Sequence, residues 1–474
     1  MRIEAGGMIK VTSFAQAMDT CKMGPLHWKI FIFAALGIFM DGYDFFIIAA
    51  ALPLIQAYWN PEPAMLGLIG AAATVGAVAG GALLGRYADI WGRRKVAMLT
   101  MCMFAVISIV SGFAWSILAL IVIRFVLGMA IGADYPTGAA YVAEFTPLKQ
   151  RPQLLFASLS FQAIGAVAGA LIGIKLVHFH NLEMWRLLLV MGVVPALLIL
   201  ILRGQLPESP RWLFNMGRHD DAKRVLQDLL QCPVELDIQP GPAVRTLPFS
   251  ALFSREFIGR TIFATVPWFC MDVALYGMAL FTPIILASTG FGNAKNTFWS
   301  RDIHALRGAL WLDVILVVGF LAGIWLVKHA GVIRMQIGGF IGMVLGLLLV
   351  AWGSAGNDSW LIFAGFAVFN FCVNAGPNGT TYIVAAVEFP TSIRASGDGL
   401  AAAAGKIGAS VGIFLMPIMR STLGLTATIA IVAGVALVGL LVSVVLRGEL
   451  YAGSHLSLRG EYVRGEGLTE AATA

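Results

Sequence analysis

Residues 36–50 read LGIFMDGYDFFIIAA, an apolar stretch with Asp41 and Asp44 near its centre. With its apolar flanks it is long enough to cross a bilayer, which takes about 20 predominantly apolar residues in a helix. An acid in the middle of such a helix costs about 2.5 to 3.5 kcal/mol on insertion scales, so each aspartate requires a partner, a proton or water. Three residues apart, the two carboxylates lie about 60° from each other around a helix and share one face. The stretch therefore predicts a membrane helix that turns a polar face toward the protein interior.

Comparable runs fill the chain. Of its 474 residues, 59% are hydrophobic and only 12% charged, whereas about a quarter are charged in a soluble domain. Apolar helical runs fall near residues 29–58, 64–87, 96–113, 116–142, 152–177 and 184–202. A polar, Pro-rich segment of roughly fifty residues follows, longer than the usual connection between bundle helices. Six further runs fall near 257–289, 305–327, 332–352, 360–387, 394–420 and 425–446. The expected fold is an all-α membrane protein with about twelve transmembrane helices in two six-helix bundles. Its expected parts are an N-terminal cytoplasmic segment (1–28), a first bundle (29–203), a cytoplasmic linker (204–256), a second bundle (257–446) and a cytoplasmic tail (447–474).

An even number of spans puts both termini on one side. Of the 32 Lys and Arg, six (Lys175, Arg186, Lys295, Arg301, Arg307 and Arg420) fall in loops on one face, and Arg124 and Lys406 fall within spans. The remainder crowd the other face, which the positive-inside rule makes cytoplasmic, so both termini are expected inside a plasma (inner) membrane. Because the basic residues lie between spans and not along one face, nucleic acid is not an expected partner. The first 28 residues lack the apolar core and cleavage site of a secretory signal. The five cysteines are scattered, without metal spacing or a disulfide framework, and His178 and His180 point to different faces of a helix, so no metal is expected. GLAAAAGKIG, from Gly399, has five residues between its glycines and Ile407 where a phosphate-binding loop needs Ser or Thr. No nucleophile and base constellation is recognisable, so neither an enzyme nor a cofactor is expected, and transport would use an ion gradient.

The halves echo each other. AEFTPLKQR from Ala143 and VEFPTSIR from Val387 align Glu144 and Arg151 with Glu388 and Arg394, and GRYADIWGRRK from Gly85 is weakly echoed by GIWLVKHAGVIR from Gly323. Duplicated six-helix units point to a transporter whose site lies between the halves. The ionisable residues within spans are Asp41, Asp44, Arg124, Asp134, Asp272 and Lys406, and their distribution over both halves implies one polar cavity. Arg124 lies at a depth comparable to that of Asp44, so the two can pair. Trp268, Asp272 and Tyr276, at four-residue intervals, form a stripe about 12 Å long on one helix face, and Lys406 is the complementary cation near mid-membrane.

GRYADIWGRRK, RFVLGMAIGADYP from Arg124 and PESPRWL from Pro207 resemble signatures of the major facilitator superfamily in its sugar-porter-like section, over nearly the whole membrane portion. Gly128 and Gly132, with Pro136, give a small-residue face for close helix packing. ADYP from Ala133, WFCMDVALYG from Trp268, GPNGTTYIVAAVEFPTSIRASGDG from Gly376 and GKIGA from Gly405 resemble the phosphate:proton symporter branch. That resemblance implies two pseudo-symmetric bundles of the major facilitator fold, with Tyr135, Gln162, Trp268, Asp272, Tyr276, Asn378 and Lys406 around phosphate. It also implies proton handling by Asp41, Asp44 and Asp134 with Arg124 as partner, and a cytoplasmic gate of Gly85, Asp89, Arg93, Arg94, Glu144, Arg151, Glu388 and Arg394. The second copy of the gate loop departs from the pattern, having Lys328 and Arg334 but no acid, and GPNGTT carries Gly379.

The expected function is therefore import of inorganic phosphate with protons by alternating access, in a protein that works as a monomer. Ammonium, phenol, carboxamide and indole groups all donate to phosphate oxygens, and a protonated Asp272 would do so where an ionised one repels. Two other functions are weighed against it. A sugar or organic-acid symporter of the same fold is favoured by PESPRWL and by the GYD of the first span, yet the paired glutamines of sugar porters are replaced in the seventh span by Asp272 and Tyr276. A non-transporting nutrient sensor would signal through a long tail or loop, and the tail here is short.

Overall fold

The computed structural model of the chain describes residues 2–3, 9–11, 23–147, 150–232, 234–236, 247–291, 297–389 and 393–447, the side chains at 2–3, 9–11, 82–86, 89, 135–136, 139–140, 143, 151–152, 236, 386–387 and 394–395 excepted. Among these residues, helices long and apolar enough to cross a membrane number 12. The first half comprises α1 (Pro25–Trp59), α2 (Pro63–Trp91), α3 (Arg93–Gly112), α4 (Ile117–Phe145), α5 (Arg151–Val177) and a sixth span broken at Met191 and Gly192 into α6 (Met184–Val190) and α7 (Val193–Arg203). Two short helices, α8 (Pro210–Asn215) and α9 (His219–Leu230), lie in the linker. The second half comprises α10 (Ile258–Ser288), α11 (Phe298–His329), α12 (Val332–Ala355), a tenth span broken at Gly376 into α13 (Ser359–Ala375) and α14 (Pro377–Val387), then α15 (Arg394–Leu423) and α16 (Leu425–Val445).

Local chemistry sets the helix ends. Prolines open α1 and α2, where a missing N–H costs nothing. The Ser116 hydroxyl accepts from Ala119 N and the Asp358 carboxylate from Trp360 N and Leu361 N, capping α4 and α13. Asn60, left-handed at φ 45°, closes α1.

The packing is of the small-residue kind that membrane helices use in place of a hydrophobic driving force. A Cβ at Gly128 would land on the Ala73 carbonyl, and one at Gly132 on that of Ala77, so the small-residue face expected from the sequence sets α4 backbone to backbone against α2. In the second half, Gly408 and Gly412 give α15 the same approach to α10, at Phe269 and Val273. The two halves meet along α2 with α15, α5 with α11 and α1 with α10. Ser410 donates to Thr74 Oγ1 at 2.9 Å across the first of these seams. On the side of the linker, the Phe156 ring is fully buried between the halves against Gly323, Gly379 and Phe320.

One element has no counterpart in the sequence reading. β1 (Arg2–Ile3) runs antiparallel to β2 (Ile9–Val11), which pairs in parallel with β3 (Val234–Leu236), Lys10 opposite Glu235. The N-terminal segment is thereby joined to the linker.

Candidate functional site

Helix α1 carries its acids to the middle of the protein because Gly42 lets it touch α5. A Cβ there would collide with the Gln162 carbonyl, so only glycine permits Gln162 to stand beside Asp41. Gln162 Nε2 then donates both to Asp41 Oδ2 at 3.2 Å and to the Tyr276 hydroxyl at 2.9 Å, joining α1 and α5 to α10. Lys406 Nζ enters from α15, 3.8 Å from Asp41 Oδ2 and 3.5 Å from the Tyr276 hydroxyl, with the Tyr276 ring centroid 5.2 Å away. Asp272, one turn below Tyr276 and 3% exposed, is in electrostatic range of both Lys406 and Asp41. Gly405 leaves room for Asp272 and the Trp268 indole, since a Cβ would come to 3.0 Å from Asp272 Oδ2 and closer to the indole. Asn378 lies nearby, donating to Asn374 Oδ1 at 2.8 Å, and with Gln162 and Tyr276 it lines a cavity of about 60 Å³ between the halves.

The expectation of a single polar cavity holding every charge in the spans requires correction: the charges fall into three groups, of which two stay in electrostatic range of each other through Asp41 and Asp44 while Asp134 belongs elsewhere. Lys406, Asp41 and Asp272 form the central one. Asp44 Oδ1 accepts from Arg124 Nη1 at 2.7 Å in a buried pair, the partnership expected from their depths. Asp134 is elsewhere, gripped by Arg203 through both carboxylate oxygens, with Thr100 Oγ1 donating to it at 2.9 Å. Arg203 spends its other N–H groups on the carbonyls of Phe33, Ala34 and Ala97. Such a bidentate, fully hydrogen-bonded pair fixes α7 against α1, α3 and α4, and it holds Asp134 apart from the Lys406 cluster. Arg203 ends the sixth apolar run, where sequence alone reads it as a flank; its partner becomes visible only when α7 folds back.

The linker-side residues divide in the same way. Arg93 pairs with Glu144 at 3.3 Å, and an Arg94 N–H bonds the Gly204 carbonyl. Glu208, which the sequence reading left without a role, accepts from the backbone N–H groups of Arg93 at 3.0 Å and Arg94 at 3.2 Å, satisfying the orphan donors that open α3. Glu388 is buried beside Arg260 at 3.7 Å. Burial pushes its carboxyl up to about 7, with Arg260 opposing. The side chains of Tyr135, Asp89, Arg151 and Arg394 and the surroundings of Gly85 lie outside the described residues.

A half-buried ammonium flanked by two acids, a phenol, a carboxamide and an indole, lying where two helical halves meet, is suited to exchanging one anionic partner for another. The sequence profile of the sugar (and other) transporter family matches residues 30–451. The chain belongs to that family. Within it, YaaU of Escherichia coli K12, named for metabolite transport, is 30% identical over 448 residues, 94% of this chain and 98% of that protein. The inorganic phosphate transporter 1-1 of Arabidopsis thaliana is 27% identical over 450 residues, 84% of this chain and 86% of the relative. The proton:xylose symporter XylE of E. coli has the same fold, with a TM-score of 0.73 at 18% identity over 92% of this chain and 97% of XylE. This family member is thus a multi-pass transporter of the major facilitator fold, and not an enzyme.

Proposed function

We propose that the protein imports inorganic phosphate together with protons by alternating access, in the plasma membrane with both termini cytoplasmic. The observation that carries the reading is the contact of Lys406 Nζ with Asp41 and Tyr276, bridged by Gln162, at the seam of the two halves. Without substrate, Asp41 is the anion that Lys406 faces. Protonating Asp41 removes that attraction and frees the ammonium for a phosphate oxygen, with Tyr276, Gln162, Asn378 and Trp268 as further donors. Protonating Asp272 removes a second repelling charge. Anion binding and proton binding are then linked, each favouring the other. Importing an anion against an inside-negative potential costs about 2.3 kcal/mol per charge per 100 mV; one proton cancels this and a second supplies driving force. Rocking of the halves about α2–α15 and α5–α11 would expose the cluster to each side in turn. The phosphate-transporter relatives support this substrate, and a cation at the site suits an anion better than a neutral sugar.

Proteoliposomes with an imposed pH gradient and labelled phosphate test substrate, coupling and self-sufficiency together. Phosphate uptake that follows the gradient and is competed by arsenate but not by hexoses is the expected result. Uptake of a hexose instead, or gradient-independent phosphate uptake, refutes the reading. The second reading, a sugar or organic-acid symporter, is favoured by the fold shared with a xylose symporter and by the metabolite-transport relatives.

A further inference from the structure

The Lys406 cluster is packed, and the open space at the centre of the protein lies beside it. The cavity of about 60 Å³ begins at Gln162, Tyr276 and Asn378 and continues past them to Thr282, Asn370 and Asp313. At about 10–15 Å³ for one water, this is room for several. Lys406, Asp41, Asp272 and Trp268 are not among its lining residues.

Asp313 is a group for which the chemistry above has no use and which lines this cavity. It stands about halfway along α11, near mid-membrane by helical rise. The same rule that singles out Asp41 and Asp44 applies to it, though the sequence reading passed over it. It lines the cavity between Leu312 and Leu316. Its Oδ2 is sealed from solvent and has no hydrogen-bond partner among the described residues, nor does a cation stand beside it there. Asn378 Nδ2 gives one of its N–H groups to Asn374 Oδ1, and Asn374 Nδ2 donates to the Asn370 carbonyl. The Asn370 carboxamide makes no hydrogen bond among the described residues. At this depth an acid is met by a partner, a proton or water, and a ligand entering the cavity with a donor would supply the first to Oδ2. Asp313 and Asn370 line the same cavity as Gln162, Tyr276 and Asn378, so an anion held at the latter three and carrying a short tail that ends in a donor would meet both sets.

We propose that Asp313 and Asn370 form a second binding pole, which takes the hydroxyl or ammonium group on the tail of a small phosphate monoester whose phosphate sits among Gln162, Tyr276, Asn378 and Lys406. The inference rests on the assignment of the Lys406 cluster as a phosphate site. A tail without a donor leaves Asp313 desolvated and unpaired, and sites built for hydrogen bonds reject such analogues strongly.

The test is calorimetric titration of the purified full chain with inorganic phosphate, ethyl phosphate, 2-hydroxyethyl phosphate and 2-aminoethyl phosphate, which share the anion and differ in the tail. Expected is at least tenfold tighter binding of a donor-bearing ester than of ethyl phosphate, with the preference abolished in Asp313→Leu. The isosteric Asp313→Asn keeps the fold and separates the two donors: loss of preference for aminoethyl phosphate alone identifies the ammonium, and retained preference for hydroxyethyl phosphate identifies the hydroxyl. Equal binding of the three esters, or a preference that survives in Asp313→Leu, overturns the proposal. Binding of inorganic phosphate with no ester binding overturns it while sparing the phosphate reading. Donor-dependent ester binding without any binding of inorganic phosphate does the reverse.

Discussion

Replacing Lys406 by Met keeps an apolar stem of similar length and removes the one charge in the central cluster that attracts an anion. Lys406 Nζ lies 3.8 Å from Asp41 Oδ2, and two unit charges at that distance interact by about 4 kcal/mol at an effective dielectric constant of 20. An anion taking the place of Asp41 at similar range would lose the same amount, which is roughly 10³-fold in uptake efficiency at about 1.4 kcal/mol per decade. The true loss is expected to be larger, because phosphate would then meet Asp41 and Asp272 without a compensating cation. The assay is initial-rate phosphate uptake in proteoliposomes under a fixed pH gradient, paired with thermal unfolding of the purified protein. Lys406→Met also leaves Asp41 buried without its cation and, among the described residues, with Gln162 alone donating to it, so the variant is expected to unfold earlier. Adding Asp41→Asn should restore the unfolding temperature without restoring transport, separating the role of the cation in binding from its role in the fold. Uptake by Lys406→Met within tenfold of native, or recovery of uptake in the double variant, would refute the reasoning.

Other expectations concern the frame around the cluster. Arg203→Met leaves the Asp134 carboxylate buried without its bidentate partner and should cost about 3 to 5 kcal/mol of stability, most of it regained in Arg203→Met/Asp134→Leu; a single variant that melts with the native protein contradicts this. Phe156→Ala removes the ring wedged against Gly323 and Gly379, so with the native cysteines replaced, an Asn378→Cys reporter should label severalfold faster from the linker side, and unchanged labelling would deny Phe156 a closing role. Glu388, at about 7 in the fold against 4.5 unperturbed, binds its proton more tightly when native. Its stabilising contribution is therefore complete below pH 4.5 and lost as pH rises to about 7. Glu388→Gln should flatten the dependence of unfolding temperature on pH across that window, and parallel curves for the two proteins would exclude it.

What the sequence determined by itself was whatever depends on residue order along one helix. Runs of apolar residues count the spans, three- and four-residue spacings put Asp41 with Asp44 and Trp268 with Asp272 and Tyr276, and helical rise matches Asp44 to Arg124 in depth. The glycines of α4 announced a close packing face before any partner was known. Tertiary structure decided which face meets which. That Asp41 and not Asp272 approaches Lys406 most closely depends on how α1 is rotated when Gly42 meets the backbone of α5. That Asp134 belongs to Arg203 depends on α7 returning beside α3, and that Glu208 caps α3 depends on where the linker lands. Periodicity specifies depth and facing direction within a helix, but contacts between helices remote in sequence arise from packing many helices at once, and that information is spread over the whole chain.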